Sequence, residues 1–122
     1  MKNKVKWLLA SVGVAIVGAA GTWRSRAAGQ FDPVAWQDEK RLQDGKRLEM
    51  ADEVVAAKML SGMTRAQVAE MLGEPPPTGY FKTWDMVYYL GDERGYISID
   101  SEWLVVKLDP AGKVSEYRIV RD

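Results

Sequence analysis

Leu60-Ser61-Gly62-Met63-Thr64-Arg65-Ala66-Gln67-Val68-Ala69-Glu70-Met71-Leu72-Gly73-Glu74-Pro75-Pro76-Pro77 is the stretch around which the fold is decided. Thr64 and Gln67 have capping-box spacing: the threonine hydroxyl takes one orphan amide, and the glutamine side chain reaches back to another. Val68, Met71 and Leu72 stand at i, i+3 and i+4, which makes one helix face apolar. Gly73 is placed to close the helix in a left-handed conformation, and Pro75 forbids its continuation. The spacing therefore predicts a short helix over 65–72 with structural roles for Thr64, Gln67, Gly73 and Pro75.

Upstream, Leu48, Ala51, Val55 and Met59 share a stripe, with Val54 beside it, and predict a first helix over 47–60. Ser61-Gly62 separates the two helices. Downstream, Pro75-Pro76-Pro77 reads as a stiff polyproline connector. From Thr83 the period changes to two. Trp84–Leu90 is a predicted strand, Ser101–Leu108 the clearest one, and Val114–Val120 the last. Tyr96–Asp100 either extends the first hairpin or bridges to the next strand. Asp109-Pro110-Ala111-Gly112-Lys113 is a hairpin turn. Short connections imply an antiparallel meander. The expected fold class is α+β: two helices packed on one face of a three- to four-stranded sheet.

Residues 47–122 are thus the folded domain, preceded by a charged connector at 29–46 and an N-terminal segment at 1–28. Trp7 to Trp23 is a run of 17 residues without charge, the short limit for crossing a bilayer as a helix. Lys2, Lys4 and Lys6 precede it, Arg24 and Arg26 close it, and tryptophans mark both ends. This is a transmembrane anchor or a cleavable signal. Ala19-Ala20-Gly21 and Ser25-Arg26-Ala27 are passable cleavage sites. The expected partner of this segment is the membrane, with the domain outside the cytoplasm, or secreted if the signal is removed. In the connector, Asp32-Pro33 is a helix start. Trp36 reads either as a partner anchor or as a residue packing back on its own domain.

Charge and residue usage exclude several functions. The chain is formally neutral, but residues 1–31 carry five basic side chains and no acid, leaving the rest at −5. An acidic body argues against nucleic acid as a partner. Without Cys or His there is no thiolate nucleophile, disulfide, imidazole base or Cys- or His-ligated metal. The pairs Asp92/Glu93 and Asp100/Glu102 sit at turns and match neither a glycosidase cleft nor an EF-hand loop. Met50 and Met59 fit core packing better than a soft-metal site. Ser101 has no base to activate it. No catalytic residue, metal site or cofactor is expected.

The pattern Gly62-Met63-Thr64-x-x-Gln67-Val68 and Leu72-Gly73-x-Pro75 is followed by Tyr89-Leu90-Gly91, a strand at Trp103–Leu108 and Gly112-Lys113-Val114. Over roughly Leu60–Val120 it resembles the SmpA/OmlA domain, the BamE-like fold of bacterial envelope proteins. The resemblance implies two helices on a three-stranded antiparallel sheet and a non-catalytic accessory role in the envelope. The chain departs from the outer-membrane members in having no lipid-acceptor Cys.

Strand alternation then orients the sheet. Leu104, Val106 and Leu108, with Met86, Tyr88, Leu90, Tyr117 and Ile119, are assigned to the helix side. Trp103, Val105 and Lys107, with Val87, Tyr89 and Arg118, face the other way. Two helices cover one face. The opposite face, framed by Asp85, Lys107, Glu116 and Arg118, is therefore the candidate surface for another envelope protein, unless the connector near Trp36 or a strand near Ile97 covers it. On this reading Trp103 is a contact residue and Val106 a core residue. The alternative function is a secreted inhibitor-like or small-ligand-binding domain.

Overall fold

The computed structural model describes residues 30–38, 45–95, 97 and 99–122; the expected membrane segment lies outside these residues. Three helices precede three strands: α1 (Pro33–Gln37), α2 (Lys46–Ala56), α3 (Arg65–Leu72), β1 (Met86–Asp92), β2 (Ser101–Leu108) and β3 (Val114–Arg121). The strands form one antiparallel meander in the order β1-β2-β3.

The capping box of α3 is complete. The Gln67 amide donates to Thr64 Oγ1 at 3.2 Å, and the Thr64 amide donates to Gln67 Oε1 at 2.9 Å. This cap is worth about 1 kcal/mol. Thr64 also bridges Lys113 at the start of β3, where the Val114 amide donates to the Met63 carbonyl at 2.7 Å. The motif thereby ties its helix to the sheet edge. At the other end Gly73 has φ 86° and ψ 165°. The positive φ favours glycine, but the extended ψ differs from the expected left-handed cap. The Gly73 carbonyl accepts the Tyr88 hydroxyl at 2.7 Å, while its amide donates to Ala69. Burial raises the Tyr88 phenol well above the ordinary tyrosine range and keeps it a donor.

α2 ends earlier than its apolar stripe suggests. Lys58 has φ 55°, and the Met59 amide turns back to the Val54 carbonyl at 3.0 Å. This fold-back seats Leu60 in the core, fully buried. Met50 is buried in that core and Met59 packs against it, as structural side chains.

The connector is part of the core. Phe31 and Trp36 are fully buried, in one cluster with Val54, Val68, Tyr88 and Leu104. The local cause is a hydrophobic staple. Asp32 caps α1 by accepting the Val34 amide at 3.1 Å, Pro33 opens the helix, and Phe31 packs on Trp36 with ring centroids 5.8 Å apart. Trp36 also meets Tyr88 edge-on at 6.2 Å. Arg47 stacks over the Trp36 ring at 5.1 Å, donates to the Trp36 carbonyl, and donates to the Tyr89 carbonyl at 3.1 Å. Gln37 Nε2 donates to the Met71 carbonyl at 3.1 Å, supplying a partner that the C-terminus of α3 lacks within its own helix. The apolar body therefore begins at Phe31 rather than at residue 47, and three helices instead of two cover this face. Trp36 packs back on its own domain.

Candidate partner surface

The helix side receives Met86, Tyr88, Leu90, Leu104 and Val106, with Tyr117, Ile119 and Leu108 packed at its margin. The opposite face carries Val87, Trp103 and Val105 as a second apolar cluster, joined by Tyr89 and Val120. Register places the cluster: Val87 lies opposite Val105, Tyr89 opposite Trp103, and Trp103 opposite Val120.

That second face is covered, which corrects the expectation of an open surface. Val87 and Trp103 are each only 8% exposed, and Val105 is fully buried. Among the described residues the cover is neither the connector nor a strand near Ile97. It is the loop between α3 and β1, whose Phe81 and Trp84 pack against the cluster. Trp103 lies 5.1 Å from Tyr80, 6.0 Å from Phe81 and 5.2 Å from Tyr89, measured between ring centroids. Trp84 therefore precedes β1 rather than opening it. Phe81 adopts φ 54°, a left-handed conformation rare for an aromatic residue, held where its ring meets Trp103. Sequence reasoning passed over Tyr80 and Phe81 because the loop has no periodicity. The available signal was three aromatic residues within five positions after the prolines, more than a solvated connector needs.

Charged residues expected at the rim hold this cover down. Lys107 and Arg118 lie 5.0 and 5.2 Å from the Trp84 ring centroid. Lys107 Nζ also donates to the Thr83 carbonyl at 2.6 Å, and Arg118 pairs with Glu116 at 3.1 Å. Asp85 accepts the Leu108 amide at 2.7 Å. Trp103 Nε1 donates to Asp122 at 2.9 Å, and the Tyr89 hydroxyl donates to Asp92 at 3.2 Å. Burial first, then the nearby Asp92, raises the Tyr89 phenol. Of the expected surface residues, Val87, Trp103 and Val105 form a floor. Tyr89, Lys107 and Arg118 remain at the solvent boundary. Tyr80, 53% exposed, is the large apolar side chain that this layer offers to solvent.

The carboxylate pairs have structural partners. Glu102 is buried on the helix side and receives the Arg94 amide at 2.7 Å, Arg94 Nε at 3.0 Å and Arg94 Nη2 at 2.8 Å. Arg94 Nη1 reaches on to Asp52 of α2 at 2.5 Å. Glu93 pairs with Arg121 at 2.9 Å. Among the described residues no group of three or more acidic side chains could hold a metal ion. The Arg94 hydrogen bonds hold the Glu102 carboxyl below its ordinary value of 4.5 despite the opposing effect of burial. A lowered folded-state value means that this contribution is present above the unfolded value and lost as pH falls through the folded one. Glu102→Gln is therefore expected to cost about 2 kcal/mol at pH 7, with the difference from the parent shrinking below about pH 4.5. Urea unfolding at a series of pH values measures this; a constant difference down to pH 3 would refute the assignment.

A family model described as the outer membrane protein assembly factor BamE domain matches residues 50–118, more than half of the chain. No curated protein and no solved structure matches it. Phe31, Trp36, Gln37 and Arg47 lie outside the matched residues, although they belong to the same packed body.

Proposed function

The chain belongs to the BamE domain family, and from that premise we propose that it is a non-catalytic accessory of the bacterial cell envelope that binds another envelope protein. The process served is outer membrane protein assembly or a related step. The N-terminal segment holds the domain at a membrane, since its uncharged run is bounded by basic residues and interfacial tryptophans. Among the described residues no helix is long and apolar enough to cross a membrane.

The observation that carries the binding reading is the aromatic layer over the second sheet face. Tyr80 presents its ring to solvent while stacked on Trp103, beside a Trp84 flanked by two cations. An amphipathic ring on a rigid floor with a charged rim suits a protein interface. Lys107 and Arg118 give that rim a basic side, suited to acidic residues on the partner.

Tyr80→Ala is expected to leave the domain within about 1 kcal/mol of the parent, as a largely exposed substitution does. It is expected to weaken capture of the envelope partner about 30-fold, the loss of one hot-spot residue. Co-purification from solubilised membranes, quantified against the parent, reads the second effect. Unchanged capture by Tyr80→Ala would remove this face from consideration.

A further inference from the structure

The sheet has two edges, β1 and β3, and the fold blunts only one of them. In an antiparallel ladder, alternate residues turn their amide and carbonyl toward the neighbouring strand. The Asp122 amide donates to the Ser101 carbonyl at 3.3 Å, beside the paired Glu102 and Arg121. Along that register Arg118 and Val120 therefore face β2, while Tyr117, Ile119 and Arg121 turn their backbone groups outward. At the β1 edge Arg47 takes the Tyr89 carbonyl, and the register shifts between Tyr89 and Gly91. A bulge and a blocked carbonyl are devices that stop strand pairing. β3 has no proline, and its register is unbroken from Glu102–Arg121 to Lys107–Glu116. Among the described residues, nothing hydrogen-bonds the outward amides and carbonyls of Tyr117 and Ile119.

The chain itself shows what this edge accepts. Met63-Thr64 lies antiparallel along its first residues, with Thr64 bridged to Lys113 and the Val114 amide bonded to the Met63 carbonyl. Past that point the edge is free. Tyr117 and Ile119 are half-buried at the margin of the main core, so a strand beside them would extend its apolar layer. On the other face Glu116 and Arg118 neutralise each other at 3.1 Å, and each remains at least half exposed. A strand with the reverse charge order matches that pair. We propose that β3 receives an extended segment of a protein partner as a fourth, antiparallel strand. Alternate side chains of the segment are apolar, and the others set an acid opposite Arg118 and a base opposite Glu116. Main-chain bonds supply affinity and the alternating side chains fix the register. This deepens the partner-binding reading above, on which it rests. Tyr117 lies on the sheet face opposite Tyr80, so the two contacts can fail separately.

Two measurements on the full chain test it. In detergent micelles, amide exchange followed by NMR should be about 100-fold faster at Tyr117 and Ile119 than at Arg118 and Val120. Equal protection would overturn the open edge. In membranes of the producing bacterium, the photo-crosslinking amino acid p-benzoylphenylalanine replaces Tyr117 or, separately, Tyr80. The expected result at 117 is an adduct to a partner segment with the stated alternation. Ile119→Pro deletes an outward amide, a change that an edge strand tolerates. It should cut the yield at 117 about tenfold, whereas Ile119→Val should preserve it. Should Ile119→Pro fail to fold, Arg121→Pro deletes the next outward amide. An adduct to lipid or to a second copy of this chain would overturn the proposal, as would a yield indifferent to the proline. Adducts at 80 but not at 117 would sink strand addition and leave the binding reading standing. Adducts at neither position would sink both.

Discussion

Trp36→Ala is expected to lower the unfolding free energy by about 3–5 kcal/mol, the usual cost of truncating a large buried aromatic side chain. The indole is fully buried in the main core, against Phe31 on one side and Tyr88 on another. Its removal leaves a cavity there and also withdraws the ring on which Arg47 stacks. For a small domain with a total stability of about 5–15 kcal/mol, that is a large share. A protein cut to begin at residue 46 should fare worse, since it also loses Phe31 and the Gln37 side chain that caps α3. A protein beginning at Ala28 retains all of these and should unfold cooperatively. Denaturant titration of the three forms distinguishes the cases. If Trp36→Ala stays within 1 kcal/mol of the parent, α1 is not part of the folded body.

Trp103→Ala should be comparably destabilising, again by about 3–5 kcal/mol. Were the second sheet face open, this substitution would affect partner capture more than folding. The structure reverses that expectation, because Trp103 lies at the meeting point of Tyr80, Phe81 and Tyr89 and donates its indole N–H to Asp122. Its truncation undercuts the covering loop, and the positive φ of Phe81 then loses the packing that offsets its strain. Val106→Ala on the helix side should also destabilise, by removing a fully buried side chain from the other core. The decisive comparison is Trp103→Ala with Tyr80→Ala by thermal unfolding. A Trp103→Ala protein as stable as Tyr80→Ala would mean that the loop does not hold this face closed in solution. Loss of binding by a destabilised Trp103 variant would then say nothing about contact, which is why Tyr80 is the residue to vary for function.

The elements whose causes lie within a few residues were legible from the chain alone. Thr64 and Gln67 satisfy each other's amides within one helical turn. The Asp109 side chain organises its turn by accepting the Ala111 and Lys113 amides at 2.9 and 3.0 Å. Alternation in β1 and β2 assigned Met86, Tyr88, Leu104 and Val106 to one side and Val87, Trp103 and Val105 to the other, because pleating allows no other arrangement within a strand. The sequence thus determined the helix–helix–meander order and the two faces of the sheet. It did not determine what covers them. Phe31, Trp36, Tyr80 and Phe81 lie outside any long periodic element, so no hydrophobic period announces their destination, and Trp84 was read as the first residue of a strand that begins at Met86. Phe31 and Trp36 were placed by the return of the connector over α3 and β1. Tyr80, Phe81 and Trp84 were placed by the path the chain takes around the sheet after the prolines. The same closure brought Glu102 beside Arg94 and Asp52, making a salt-bridged staple of an acid that strand sequence alone shows only as one more carboxylate near a turn. Burial of such residues is a property of the closed chain, since it depends on contacts between segments whose sequence separation carries no local signal.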